Sequence, residues 1–147
     1  MFNRKGQLSI EVLIIIIFLI TFIYVYENLA EQAAYTIEVN KIKAQETTIG
    51  LSLNEFLEAQ RNILKDENVI DYNASYRLQN IAIASRRINE CFVDINLDTG
   101  IMIVQTDFSN IYTEFNTNLN TDFNLPSRIN CGVTIVCSII DSNIDCR

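Results

Sequence analysis

Glu11 is the side chain whose position most demands a chemical explanation. It opens onto Val12 to Tyr26, fifteen residues without a charge, and it follows Arg4-Lys5-Gly6-Gln7-Leu8-Ser9-Ile10. A carboxylate at the margin of an apolar layer is costly unless a cation meets it, so a charge there marks a functional position by default. The order of the flanking parts says which function. A secretory signal places its small-residue cleavage site after the apolar run, whereas here the basic, small, polar junction lies before it. A cut at that junction leaves the apolar helix on the mature chain.

The other residues able to do chemistry are the four cysteines, Cys91, Cys131, Cys137 and Cys146. An even count in an extracytoplasmic domain reads as two disulfides, with three connectivities open. Zinc is the competing reading, but the chain has no CxxC pair and no histidine. The missing histidine also removes His-based triads and most zinc hydrolases. Gly6, Gly50, Gly100 and Gly132 form no phosphate-binding loop, and no pair of carboxylates stands out for acid and base work, so an enzyme is not expected.

Two further patterns need a reading. Asp94-Ile95-Asn96-Leu97-Asp98-Thr99-Gly100 alternates oxygen side chains as a calcium loop does, but its glycine falls one position late and Gln105 stands where the twelfth-position Glu belongs. Strand alternation puts the same three side chains on a wet face without any ion, and no metal is expected. Asn73-Ala74-Ser75 is an N-glycosylation sequon that could be used on the external side of a membrane.

These residues need elements to position them. At 147 residues the chain is one globular domain at most, with much of its length given to the N-terminal helix. Lys and Arg total 11 against 18 Asp and Glu, and loss of Arg4 and Lys5 would leave 9 against 18. Such an acidic surface repels phosphate backbones, which excludes nucleic acid as the main partner. Val12 to Tyr26 makes roughly 22 Å of helix, short of the ~30 Å hydrocarbon layer, while counting from Gln7 gives about 30 Å. Arg4 and Lys5 hold the N-terminus in the cytoplasm, and Glu27, Glu31 and Glu38 go outside. Tyr24, Tyr26 and Tyr35 suit either the outer membrane interface or packing in a filament.

Beyond Glu27 the helix becomes one-sided, with Leu29, Ala30, Ala33, Ala34, Ile37 and Ile42 recurring between charges. Thr47-Thr48-Ile49-Gly50 predicts a bend or a break. Leu53, Phe56, Leu57, Ile63 and Leu64 resume helical spacing as far as Lys65-Asp66-Glu67-Asn68. From Val69 to Glu90, Tyr76, Ile81, Ile83, Ala84 and Ile88 fit a short helix, although Ile81 and Ile83 also alternate as a strand would. Phe92 to Leu97 and Ile101 to Val104, joined by Asp98-Thr99-Gly100, read as a hairpin. Asn110 to Asn130, rich in Asn and holding Pro126, reads as a surface loop with one short strand. Cys131 to Ile140 is β-rich, and Asp141-Ser142-Asn143 turns it towards Ile144 to Arg147. In that hairpin Cys137 and Cys146 lie at equal distances from the centre and face each other, which leaves Cys91 with Cys131.

Gly6 followed by Gln7-Leu8-Ser9-Ile10-Glu11 and an apolar helix resembles the class III signal peptide of archaeal type IV pilin-like proteins, whose pattern is Q-x-S-x-E before the hydrophobic segment. The resemblance covers about the first 27 residues. It implies cutting between Gly6 and Gln7 by a membrane prepilin peptidase, followed by assembly through the helix from Gln7 onward. Glu11 then lies roughly 6 Å along the helix from the freed amine of Gln7, and pairing with that amine, on its own chain or a neighbour's, would set subunit register. The plain alternative is an anchor with Glu11 resting among lipid headgroups. Gly6 suits a protease cleft or an ordinary turn, and Gln7 and Ser9 taken alone are first-turn helix residues.

The resulting expectation is an α+β subunit. Residues 1–6 form a leader, 7–67 a long helix whose first part, 7–26, lies in membrane or filament core, and 68–147 a small disulfide-bonded β-rich head. Its partners would be the prepilin peptidase, other pilin subunits, the membrane and the pilus assembly machinery. It would need no cofactor, and would move from the membrane to a cell-surface filament as a minor pilin. The rival is a bitopic protein that uses the same helix as a permanent tether for an extracytoplasmic binding module.

Overall fold

The computed structural model describes residues 4–65, 72–82, 88, 90–108, 112–117, 119, 123–140 and 143–147, with 4–9 and Ile140 described by backbone alone. The chain divides into two compact units, Met1–Val39 and Asn40–Arg147.

One helix, α1 (Arg4–Leu64), takes up 61 residues. No proline interrupts it, and its hydroxyl residues turn back on its own carbonyls: Thr21 donates to the Ile17 carbonyl at 2.8 Å and Thr36 to that of Gln32 at 2.8 Å. Of the bend or break expected at Thr47 to Gly50, the break does not occur, since helix runs through the segment. Thr47 and Thr48 donate to the Lys43 and Ala44 carbonyls at 2.8 and 2.9 Å. Gly50 leaves the room that the Phe115 ring fills, because a Cβ there would collide with three of its ring carbons. Packing thus outweighs the weak propensity of the segment. The helix ends at Leu64 with Lys65 in a turn, short of the expected end at residue 67, and residues 66–67 lie outside the described residues.

In the second unit the helix residues from Asn40 to Leu64 pack on two small sheets. The strands are β1 (Tyr72–Arg77), β2 (Cys91–Asn96), β3 (Ile101–Thr106), β4 (Tyr112–Asn116), β5 (Phe123–Asn124), β6 (Arg128–Asn130), β7 (Thr134–Ile140) and β8 (Asn143–Cys146). One sheet has the order β1-β7-β8-β5 and the other β4-β3-β2-β6. All neighbours are antiparallel except β5 and β8. Period-two alternation turns Cys91, Val93 and Ile95 of β2 and Met102, Val104 and Thr106 of β3 inward. The apolar ones meet Ile49, Leu53 and Leu57 of the helix in one core, together with Ile135, Cys137, Ile139, Ile144 and Cys146. The architecture is therefore the expected α+β arrangement of a long N-terminal helix and a disulfide-bonded head.

The hairpin of β2 and β3 has the expected turn. Asn96 Oδ1 accepts from the Asp98 and Thr99 amides at 3.1 Å each, and Gly100 takes φ 66°, a left-handed conformation that a side chain would resist. Two expectations are corrected. The helix expected within Val69 to Glu90 is a strand over Tyr72–Arg77, paired with β7 along its whole length. Its decisive pattern is Tyr72, Ala74 and Tyr76 turned inward against exposed Asn73, Ser75 and Arg77, while residues 69–71, 83–87 and 89 lie outside the description. The described residues between Asn110 and Asn130 hold three strands rather than one, because β3, β8 and β2 offer pairing edges that a polar local sequence does not announce.

Candidate functional site

The first unit presents the largest uncovered apolar surface. Every described side chain from Ile10 to Ile37 is exposed, including Phe18 at 75% and Phe22 at 65%. A helix apolar on all sides is built to be covered on all sides, and an aqueous surface does not keep a patch of this size open. By length and composition α1 is able to cross a membrane. Ile10 to Tyr26 alone provides roughly 25 Å of helix, and the helical backbone continues N-terminally through Gln7 towards Arg4. A long apolar N-terminal helix fits membrane anchoring or a signal sequence. The disulfides in turn fit a head in an oxidising, extracytoplasmic environment.

Glu11 is exposed on this helix, at the start of the uncharged stretch. Gly6, Gln7 and Ser9 are helical in backbone, and their side chains lie outside the description. Tyr24, Tyr26 and Tyr35 are all exposed. The one-sided stripe after Glu27 is uncovered as well, with Leu29 at 60% and Ile37 at 54%, whereas Ile42 belongs to the second unit and is fully buried there.

Both disulfides are the pairs expected from the sequence. Cys137 and Cys146 are register partners in the β7–β8 hairpin, and Cys91 joins Cys131, whose amide also donates to the Cys91 carbonyl at 2.9 Å. Two of the calcium-like side chains are otherwise engaged: Asp94 holds Arg128 at 2.7 and 3.0 Å, and Asn96 closes the hairpin turn. The Arg128 guanidinium also lies 4.0 Å above the Phe92 ring. Among the described residues no group of three or more His, Cys, Asp or Glu side chains could hold a metal ion. Asn73 stands exposed on β1.

Sequence reasoning missed Glu46. It is fully buried in the head, where its carboxylate accepts from Thr113 at 3.0 Å and from Thr106 at 3.5 Å. Burial pushes its pKa up, against the opposing pull of the two hydroxyls and of Lys43 one turn earlier. The signal was present in the spacing. Ile42, Glu46, Ile49, Leu53, Leu57 and Gln60 recur at steps of three and four, and all six are buried. Gln45, beside this stripe, uses its carboxamide as a strand would, donating to the Ala82 carbonyl at 3.1 Å and accepting from the Ala82 amide at 2.9 Å.

Searches of protein-family models, curated proteins and solved structures each return no match to the chain.

Proposed function

We propose that this chain is a structural subunit, a minor pilin, of an archaeal type IV pilus-like surface filament. The observation that carries the reading is the unbroken helix whose first part is apolar and uncovered on every side from Val12 to Tyr26, with Glu11 at its head. The Gln7-x-Ser9-x-Glu11 pattern after Gly6 supplies the processing site.

In this account the new chain waits in the membrane with Arg4 and Lys5 on the cytoplasmic side and the head outside. A prepilin peptidase cuts between Gly6 and Gln7. Subunits are then drawn out of the bilayer by the pilus assembly machinery, and neighbouring helices take the place of lipid around Gln7 to Tyr26. Exchange of lipid for another apolar helix gives little hydrophobic gain, so packing and polar pairing must set the geometry. Glu11 with a freed Gln7 amine provides that pairing. Leu29 and Ile37 extend the contact beyond the membrane-spanning part, and the heads form the outer surface.

The test is fractionation of the native host. The account expects the chain in both the membrane and the sheared surface fraction. A chain confined to the membrane would identify a tethered binding protein instead.

A further inference from the structure

We propose that Asn73 carries an N-linked glycan, standing on the outer face of the sheet formed by β1, β7, β8 and β5. The sequon falls within β1, where the backbone is extended and side chains two apart share a face. Asn73 and Ser75 are both exposed, and Ala74 between them is turned inward. The direction is fixed by Tyr76, on Ala74's side of the strand: its hydroxyl donates to Ser52 Oγ at 2.7 Å and its ring stacks on Phe56 with centroids 5.1 Å apart. Acceptor amide and sequon hydroxyl therefore point together into solvent.

Among the described residues β1 is also an edge strand, with β7 as its one neighbour in the sheet. A transferase can approach from the open side. The register places Ser138 opposite Asn73, Val136 opposite Ser75 and Thr134 opposite Arg77. These are small side chains, so a first sugar has room to lie flat. Val136 is 47% exposed, an apolar spot that a sugar's C–H face would cover. The unpaired backbone groups of a free edge invite pairing with another chain, and a bulky polar chain beside them obstructs it.

The chemistry is transfer from a lipid-phosphate-linked oligosaccharide. The bond from its anomeric carbon to the phosphate oxygen breaks, a bond from that carbon to Asn73 Nδ2 forms, the amide gives up one proton, and the lipid phosphate leaves. Such a donor serves the external face of the membrane, so the proposal rests on the head lying outside.

Mass mapping of non-reduced protein from the native host tests it. Residues 66–77 form one tryptic peptide, bounded by Lys65 and Arg77. It is expected to be heavier by a whole number of sugar residues. The entire shift should vanish in Asn73→Gln and Ser75→Ala and persist in Ser75→Thr. Both positions are exposed, so the head keeps its fold. A bare Asn73 beside intact Cys91–Cys131 and Cys137–Cys146 links would overturn the glycan alone. A bare Asn73 with four free thiols would overturn both the glycan and the external head. A sugar mass that survives Asn73→Gln would also overturn the assignment.

Discussion

Glu46 Oε2 accepts a hydrogen bond from the Thr113 hydroxyl at 3.0 Å, deep in the head and out of reach of water. Thr106 approaches the other oxygen at 3.5 Å, so a single helix carboxylate ties together the end of β3 and the start of β4. Burial favours the protonated form of this carboxylate, and the two hydroxyls and Lys43 offset it only in part.

That preference gives the head a pH-dependent contribution to its stability. Because the folded pKa lies above the ordinary 4.5, the folded state holds a proton that the unfolded chain has released. The contribution of Glu46 to stability is then greatest below 4.5 and falls as pH rises through the folded value. Lys43 on the helix is the nearby cation, and its downward pull is the smallest of the contributions. Denaturant titration of the full chain in detergent should show this fall in the wild type. Glu46→Gln should flatten it, and Glu46→Ala should cost about 2–4 kcal/mol by leaving a cavity and two unanswered hydroxyls. An unchanged slope in Glu46→Gln would place the titration elsewhere.

Gly50 is the second test of the helix–sheet contact. In an exposed helix Gly→Ala stabilises by about 1 kcal/mol. Here the added methyl meets the Phe115 ring, and Gly50→Ala should instead destabilise by about 1–3 kcal/mol. Combined with Phe115→Leu, the loss should shrink, giving a coupling of about 1 kcal/mol in a double-mutant cycle.

The two disulfides should contribute unequally. Cys91–Cys131 spans 40 residues and Cys137–Cys146 spans 9. By loop-closure entropy their removal as paired Cys→Ala changes should cost about 4 and about 3 kcal/mol respectively. Unfolding midpoints of the two double variants give the order directly.

Glu11→Gln separates assembly from insertion. The neutral side chain keeps the helix apolar, so the membrane pool should be maintained. Incorporation into sheared filaments should drop at least tenfold, equivalent to about 1.4 kcal/mol per subunit. Equal incorporation of variant and wild type would remove Glu11 from the assembly contact.

The legible parts of the fold were those with local signals. Val12 to Tyr26 shows its helix by length and apolarity, and Asp98-Thr99-Gly100 shows its turn by chemistry. The symmetry of Cys137 and Cys146 about Asp141 and Ser142 was enough to give one disulfide and, by elimination, the other. The illegible parts were those fixed by distant partners. Tyr72 to Arg77 becomes a strand because β7 lies beside it, and Glu46 takes a core position that its residue type argues against. Gly50 read as a helix breaker until the ring of Phe115, 65 residues away in sequence, explained it. At the candidate site, the uncovered apolar helix was legible throughout, since nothing in the chain itself covers it from Ile10 to Ile37 among the described residues.

The central claim is that this helix is released by cleavage and then packed among copies. The most direct measurement is the N-terminal residue of the chain in sheared surface filaments, by intact mass and peptide sequencing. The account predicts an N-terminus at Gln7. A chain beginning at Met1 and recovered only from membranes would contradict it.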